Sequence, residues 1–272
     1  MLMSTTFDKL VSHIDQPGID SDPEQDIIKL KPDITHEEAL AVQLAVKRRR
    51  VAAGDRIIGH QASFTSAGIR KMFPDAPRPM IGTLLSSLAR ADGDEVALDC
   101  DAAFIESELA VVLGSGLEGP ELTHTEVLRA IDGFLPAIEV APLRPGVLEQ
   151  RYSFAHMIAV QKAAGGYVVF GSRITSARGI DARLEACLVS IDGEARAAAA
   201  GFEAMGSPLQ VISAMAAGLH KIGEKLHAGQ ILMTGSLAPP QRITPQNRFA
   251  QLDFATLGSV SVRLREPVAG DH

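Results

Sequence analysis

The chain has 272 residues and a formal net charge of −7, with 26 Lys and Arg against 33 Asp and Glu. This shortage of basic residues argues against nucleic acid as a partner, and the lack of Trp argues against a stacking platform for bases or sugars. The two widely separated cysteines, Cys100 and Cys187, are typical of reduced thiols in the cytosol. No apolar run approaches the roughly 18 residues of a membrane span, so we expect a cytoplasmic protein without membrane or nucleic-acid partners.

The first third of the chain is predicted to be helical. Thr35-His36-Glu37-Glu38 has the pattern of a capping box, and the apolar residues after it carry a helix toward Gly54, which suits a helix C-terminus. The basic run Lys47-Arg48-Arg49-Arg50 at its end is interpreted as a solvated last turn that complements the helix dipole. Residues 55–80 contain two turn-rich stretches and are expected to form loops of the kind that build sites.

From about residue 80 the pattern changes to short apolar segments at close spacing, which predicts strands. Two helices with N-terminal caps interrupt them, one after Thr123 that runs to Asp132 and one after Ser207 that runs to about Lys225. Ile191-Asp192-Gly193-Glu194 predicts a type I′ hairpin turn. The predicted strands are Glu95–Asp99, Ala103–Leu113, Leu135–Ala141, Gly166–Phe170, Leu184–Ile191, Ile231–Thr234, Arg248–Phe254 and Val260–Leu264.

This order of elements predicts an α+β fold. A helical N-terminal cap is expected over residues 1–78, followed by a mixed β-sandwich or β-roll core over residues 79–272, all within a single domain. We see no internal repeats, low-complexity tracts or linkers that would divide the chain.

Three glutamates interrupt two of the apolar strands. Glu106 and Glu108 lie in the first strand, on which residues i and i+2 point to the same face, and Glu139 lies in the second. Carboxylates in a low-dielectric interior need a counter-charge, and an all-oxygen set of three suits Mg²⁺ or Mn²⁺ rather than Zn²⁺. The alternative is a solvent-facing edge strand, but such a strand should alternate polar and apolar residues over its whole length.

With these residues the chain resembles the fumarylacetoacetate-hydrolase superfamily, specifically its branch of 2-oxopent-4-enoate hydratases and 4-oxalocrotonate decarboxylases. The resemblance extends between residues 54 and 265 in the family's order and implies the fold of that family's C-terminal type. The segments that carry it are Pro79–Leu84, Glu106–Leu113, Leu135–Val140, Ala228–Leu237 and Leu257–Val262.

The resemblance implies a Mg²⁺ or Mn²⁺ ion held by Glu106, Glu108 and Glu139, with the 2-oxo and carboxylate oxygens of the substrate completing its coordination. It also implies that Thr234-Gly235-Ser236 hold the substrate carboxylate. Leu109 and Gln161 are further candidates for substrate contacts.

The implied reaction is hydration of a 2-hydroxy-2,4-dienoate (2-oxo-4-enoate) in aromatic meta-cleavage catabolism, through an enolate at C2 that the metal stabilises. A 4-oxalocrotonate-type decarboxylase is the alternative, and a weakly active or non-catalytic partner subunit is another. Because proteins of this branch form homo-oligomers, and its hydratases and decarboxylases associate, we expect a homo-oligomer, alone or with such a pathway enzyme.

The chain departs from the family pattern at two places. Where the family usually has Gly-x-Lys-x-Gly-x-Thr, this chain has Gly59–Thr65, with Gln61 in place of the Lys. Where the family usually has Asp-Asn-x-Ser, it has Gln161-Lys162-Ala163-Ala164. We hypothesise that Lys162 supplies from a second loop the cation that Gln61 cannot. The alternative is that Lys162 faces solvent and the site lacks its acid/base pair.

Histidines and basic residues near these segments are further candidates. His60 adjoins Gln61 and is a candidate proton shuttle at the metal, against a structural or solvated role in a turn. Arg151 and His156, or Arg70 and Lys71, are candidates to reach a second carboxylate on a dicarboxylate substrate.

Overall fold

The computed structural model describes residues 4–15, 27–72, 79–98, 100–143, 152–160 and 166–267. The helices are α1 Ser4–Ile14, α2 Ile27–Leu30, α3 His36–Ala52, α4 Ala67–Met72, α5 His124–Ala130, α6 Phe154–Val160 and α7 Pro208–His220. The strands are β1 Ile57–Ser63, β2 Met80–Leu85, β3 Ala89–Ala91, β4 Glu95–Ala97, β5 Ala103–Leu113, β6 Ile131–Pro142, β7 Tyr167–Phe170, β8 Thr175–Ser176, β9 Ala186–Ile191, β10 Glu194–Ala200, β11 Ile231–Met233, β12 Gln241–Ile243, β13 Phe249–Phe254 and β14 Gly258–Arg265.

The strands form two sheets that pack against each other. The larger has nine strands in the order β2-β1-β11-β5-β6-β7-β3, with β12 paired to β5 and β8 paired to β6. The smaller has the order β10-β9-β13-β14-β4, and its strands β13 and β14 contact β6 of the larger sheet. The main core includes Val111 and Ile138 of the larger sheet, Val189 and Leu252 of the smaller sheet, and Met215 of α7. The predicted α+β class with a sandwich-like body is therefore confirmed.

The N-terminal helices pack into a second apolar cluster. Leu10 and Ile14 of α1 and Val42 of α3 lie together with Ala155 and Ile158 of α6. The helical cap is therefore present, but it includes a helix from the second half of the chain. The periodicity of a seven-residue segment such as α6 does not show where it packs.

Strand β1 corrects the predicted boundary between cap and core. It pairs with β11 in parallel and with β2 in the antiparallel direction, so the strand-rich part begins at Ile57 and not at residue 79. An added Cβ at Gly59 would lie 1.8 Å from the carbonyl oxygen of Ile231, so this close strand pairing requires glycine. The turn-like composition around Gly59 was therefore misleading, and a loop over residues 57–63 is wrong.

Several local predictions are confirmed at the level of single hydrogen bonds. Both capping boxes are present, with the Thr35 and Thr123 side chains accepting from the backbone N–H of the residue three positions later. Asp192 and Gly193 have φ values of 52° and 82°, as a type I′ turn requires. The helix after Ser207 ends at His220, earlier than predicted.

The basic run at the end of α3 is not simply solvated. Lys47 Nζ lies 2.6 Å from a Glu224 carboxylate oxygen, and Arg50 Nε lies 2.7 Å from an Asp15 carboxylate oxygen. These side chains are largely buried, and α3 itself packs against α1 and α6. The prediction of a solvent-exposed last turn is therefore wrong for these two residues. Across the ranges described above, each helix is too short or too polar to span a membrane.

Candidate metal centre

Strand register brings the three glutamates together. Glu106 of β5 lies directly opposite Glu139 of β6, and Glu108 lies opposite Ala137, two residues along the same face. One oxygen from each carboxylate can be chosen so that all three lie within 4.8 Å of one another. Glu108 is fully buried, Glu139 is buried and Glu106 is half-buried.

This donor set has the size and chemistry of a site for a hard divalent cation. Oxygens that bind one Mg²⁺ lie at about 2.0–2.1 Å from it, and those around Ca²⁺ at about 2.3–2.6 Å. Two oxygens that bind the same ion are therefore no more than about 4–5 Å apart. The oxygens of the three glutamates can reach such distances with small side-chain movements. Carboxylate oxygens are the ligands that Mg²⁺ and Mn²⁺ prefer over Zn²⁺.

The face of the larger sheet that carries the glutamates is otherwise apolar; we call it the glutamate face. Its buried side chains come from five strands, and at its β1 side Gln61 joins it, because Gln61 pairs with Met233 and Met233 with Ala110. The apolar side chains on this face are Leu84, Ala110, Leu135, Ala137, Val168 and Met233. The carboxylates therefore lie beside a buried apolar surface that suits the hydrocarbon part of a ligand.

Two neutral donors orient two of the carboxylates. The Gln61 side-chain N–H donates to Glu139 Oε2, and the backbone N–H of Gly235 donates to Glu108 Oε2 at 2.6 Å. Because both donors are uncharged, these bonds fix the carboxylates without neutralising them. Gln61 thus reaches the cluster, as its position in the family pattern predicts. It contributes a neutral amide where the family usually has the cationic side chain of Lys.

The segment Thr234-Gly235-Ser236 follows β11 and is held against β5. The Thr234 hydroxyl donates to the Leu109 carbonyl at 2.9 Å, and the Ser236 hydroxyl donates to the Ala238 carbonyl at 2.8 Å. The backbone N–H of Gly235 contacts the carboxylate cluster. The two hydroxyls therefore orient the segment, and the predicted contact with a substrate carboxylate stays a prediction.

Leu109 does not present its side chain to the cluster. It adjoins Glu108, and successive strand residues point to opposite faces, so its side chain lies in the main core between the sheets. The Leu109 side chain therefore does not reach the cluster, and the substrate contact predicted for this residue stays a prediction.

His60 also lies on the wrong face to act at the cluster. It precedes Gln61 in a regular part of β1, so its ring points away from the glutamates. It lines a separate cavity of 390 Å³ together with Lys47, Glu224 and His227. Burial lowers the pKa of His60 to about 4, although the nearby Glu224 carboxylate opposes this effect. The structure therefore does not bring the His60 ring to the glutamate cluster, and a proton-shuttle role for it stays a prediction.

The neutral, buried His60 makes the protein sensitive to acid. Because the pKa is about 4 in the folded state against 6.5 in the unfolded chain, the unfolded chain binds more protons between these values. The free energy of unfolding should fall by about 3 kcal/mol as the pH drops through this interval and be unaffected by His60 at higher pH. Urea unfolding of wild type and His60→Gln across the interval tests this, and equal pH slopes would contradict it.

Thr65 is a residue of this region that sequence reasoning noted only as the end of a motif. It is buried, and its hydroxyl has no hydrogen-bond partner within the part of the chain that the structure describes. It follows Phe64, whose φ of 63° is unusual for a bulky side chain and marks a sharp turn after β1. Its place as the final Thr of the family pattern Gly-x-Lys-x-Gly-x-Thr was the available signal.

Of the remaining candidates, His156 has structural contacts and three others lie outside the described residues. His156 is buried, its Nδ1 accepts from the backbone N–H of Ser153 at 3.1 Å, and its Nε2 lies 3.1 Å from the Lys31 carbonyl oxygen. Both ring nitrogens thus contact residues of the helical cap, and a substrate contact for His156 stays a prediction. Gln161, Lys162 and Arg151 lie outside the described residues.

Known proteins similar to this chain include enzymes of both predicted kinds. A 2-keto-4-pentenoate hydratase of Paraburkholderia xenovorans (strain LB400) is 29% identical over 219 residues, which make up 80% of each chain. A 4-oxalocrotonate decarboxylase of Pseudomonas putida is 27% identical over 258 residues, which are 93% of this chain and 95% of that protein. The structure of 4-oxalocrotonate decarboxylase from Pseudomonas putida G7, complexed with magnesium and adipate, matches with a TM-score of 0.87 at 26% identity, covering 97% of this chain and 99% of that one.

These similarities confirm the resemblance that the sequence motifs indicated. The profile of the fumarylacetoacetate (FAA) hydrolase C-terminal family matches residues 52–265, a range that includes the three glutamates, Gln61 and Thr65. Because this match covers well over half of the 272 residues, the chain belongs to the fumarylacetoacetate (FAA) hydrolase C-terminal family.

Proposed function

We propose that the protein is a metal-dependent hydratase of 2-hydroxy-2,4-dienoates (2-oxo-4-enoates), small molecules of aromatic meta-cleavage catabolism. The observation that carries this proposal is the cluster of Glu106, Glu108 and Glu139 on an apolar sheet face, in a chain that aligns with a 2-keto-4-pentenoate hydratase over 80% of its length. The cluster offers oxygen ligands, and the surrounding face offers a dry surface for the hydrocarbon part of a dienoate.

In this proposal the three glutamates hold Mg²⁺ or Mn²⁺ beside the substrate's 2-oxo and carboxylate oxygens. When bound, the cation supplies positive charge that stabilises the negative charge developing on the C2 oxygen. Gln61 and the Gly235 N–H keep two of the carboxylates oriented for it. The apolar side chains of the glutamate face exclude water from the diene and hold it against the cluster.

Proton transfer needs a group other than Gln61, because a carboxamide does not titrate in the useful range. We propose that Lys162 supplies this group, as the exchange of residue types between the two family motifs suggests. Lys162→Ala should then reduce turnover strongly without abolishing metal binding, and unchanged turnover would end the exchange hypothesis. Gln161 is retained beside it as a candidate substrate contact, and Thr234 and Ser236 as candidates for contacts to the carboxylate.

A 4-oxalocrotonate-type decarboxylase is the second candidate. It is favoured by the more complete alignment with that enzyme, which covers 93% of this chain against 80% for the hydratase. Both reactions need negative charge stabilised at C2, so the cluster alone does not separate them. Incubation with a 2-hydroxydienoate and with its dicarboxylate analogue, followed by detection of hydrated product and of CO₂, separates them directly.

Other features of the proposal concern the chain as a whole. We propose that residues 1–272 act as one domain in the cytoplasm, as a homo-oligomer, alone or with a pathway hydratase or decarboxylase. A weakly active partner subunit is the remaining alternative, which retention of all three glutamates disfavours because buried carboxylates without a ligand are costly.

The first test is a calorimetric titration of metal-stripped protein with Mg²⁺ or Mn²⁺, followed by oxalate, an analogue of a 2-oxo acid enolate. Saturable metal binding, and oxalate binding that requires the metal, are the expected results. Metal binding without oxalate binding would leave a metal site but contradict a 2-oxo-acid enzyme. No metal binding would overturn the enzyme proposal and favour the partner subunit.

A further inference from the structure

Among the buried polar atoms that have no partner within the described part of the chain, two lie in and just after the last part of β1, on the side of the glutamate cluster. They are Gln61 Oε1 and Thr65 Oγ1, and each residue is only 2% exposed. Buried polar atoms are nearly always hydrogen-bonded in folded proteins, so each such exception calls for an explanation. These two exceptions come from one five-residue segment beside the glutamate cluster, which indicates that a ligand completes their hydrogen bonding.

The orientation of the Gln61 amide defines what that ligand must offer. A carboxylate can only accept hydrogen bonds, so the amide group that faces Glu139 is the NH₂ and the oxygen points elsewhere. The unpartnered Oε1 is an acceptor without a proton. It therefore requires a donor on the ligand, which a hydroxyl provides and a ketone does not.

Thr65 is held in place independently of any ligand. Its carbonyl accepts from the backbone N–H of Met205 at 3.2 Å. Its hydroxyl lies beside Gly235, since a Cβ added to Gly235 would be 2.0 Å from Thr65 Oγ1. Gly235 in turn donates to Glu108. The Thr65 hydroxyl is thus placed next to the backbone that orients a predicted metal ligand, with a proton to donate.

We propose that Gln61 positions Glu139 and, through Oε1, accepts the hydrogen bond of a ligand hydroxyl, so that the site selects the 2-hydroxy form of its substrate over the 2-oxo form. Thr65 donates to a carboxylate oxygen of the same ligand. This inference rests on the proposed function and deepens it, because it assigns tautomer selection to a residue that cannot itself carry charge.

The test compares two ligands that differ at C2, lactate with its hydroxyl and pyruvate with its ketone, on metal-loaded protein by calorimetry. Wild type should bind lactate more tightly than pyruvate, by about tenfold for one hydrogen bond to a buried acceptor. Gln61→Leu should remove this preference and weaken Mg²⁺ binding about tenfold, as expected for loss of a group that orients a metal ligand. Gln61→Met has similar volume and is used if the Leu variant does not fold.

A matched control comes from the smaller sheet. Gln251 in β13 also donates from its amide to a carboxylate, Asp253, at 2.8 Å, but it lies in the smaller sheet, whereas the cluster lies in the larger one. Gln251→Leu should leave metal affinity and the ligand preference unchanged. Thr65→Val should weaken lactate and pyruvate equally, because both carry the carboxylate, and should leave metal affinity unchanged.

The outcomes separate this inference from the proposed function. If wild type binds metal and both ligands but without a preference, or if Gln61→Leu and Gln61→Met keep the preference, the assignment to Gln61 is overturned while the 2-oxo-acid site stands. If wild type binds metal but neither ligand, or no metal, the proposed function fails and this inference fails with it.

Discussion

Replacing Glu108 by Gln is expected to abolish saturable binding of Mg²⁺ and Mn²⁺ while leaving the metal-free protein at least as stable as wild type. Glu108 is fully buried and shares a cluster with two other carboxylates. A neutral amide removes one predicted ligand but also relieves like-charge repulsion and desolvation. Its carbonyl oxygen can still accept the Gly235 N–H. The substitution should therefore make the protein less stable than wild type when metal is present, and as stable or more stable when metal is absent.

Thermal unfolding with and without metal measures both effects at once. A ligand at one hundred times its Kd stabilises the folded state by about 2.7 kcal/mol, so wild type should show a clear rise in Tm and Glu108→Gln should show none. A metal-dependent rise in Tm that persists in the variant would contradict the assignment of Glu108 as a ligand.

Glu185 provides a control with the reverse pattern. It is also buried, but its carboxylate accepts from the backbone N–H and hydroxyl of Thr256 and from the backbone N–H of Leu257, at 2.7, 2.6 and 3.2 Å. These bonds tie β9 to the turn between β13 and β14, so the charged form is well satisfied. Glu185→Gln should destabilise the protein with or without metal and leave the metal-dependent rise in Tm intact.

Replacing Gly235 by Ala is expected to destabilise the protein and weaken metal binding together. Its φ of +92° costs an L residue about 1–2 kcal/mol. The added Cβ would also lie 2.0 Å from Thr65 Oγ1, and overpacking of this kind costs about 1–3 kcal/mol more. Any shift of the backbone to relieve this clash moves the N–H that donates to Glu108.

Gly229→Ala separates the two contributions to this loss of stability, which are the conformational cost of a positive φ and the steric cost of the added Cβ. Gly229 has a similar φ of +81°, but an added Cβ would have nothing within 4 Å. It should therefore show the conformational cost alone, with unchanged metal affinity. Urea unfolding and metal calorimetry on both variants test the prediction, which would be wrong if Gly235→Ala were no more harmful than Gly229→Ala.

Elements with strong local signals were predictable from the sequence. The bounds of β5 are those predicted, because an apolar run rich in β-branched residues spans the whole strand. The capping boxes and the Asp192-Gly193 turn follow from side chains that bond their own neighbouring backbone. Such signals involve only a few consecutive residues, so the structures that they predict do not depend on how the rest of the chain folds.

Elements whose stability comes from distant partners were missed. β1 has two strands to pair with but no clear alternation of its own, so its composition resembled a loop. The sequence of the short helix α6 does not indicate that this helix packs with the N-terminal helices. The partners of Lys47 and Arg50 are likewise distant in the chain, with Glu224 separated from Lys47 by 177 positions and Asp15 from Arg50 by 35.

The residue types of the site and the shared face of Glu106 and Glu108 follow from the sequence alone, because side chains alternate along any strand. Which strands meet, and in what register, follows only from the tertiary structure. It is the pairing of β5 with β6 that sets Glu106 opposite Glu139, and the pairing of β1 with β11 that turns Gln61 toward the cluster and His60 away from it. A shift of one residue in either pairing would exchange the two faces, so the chemistry of the site depends on register, which no local segment encodes.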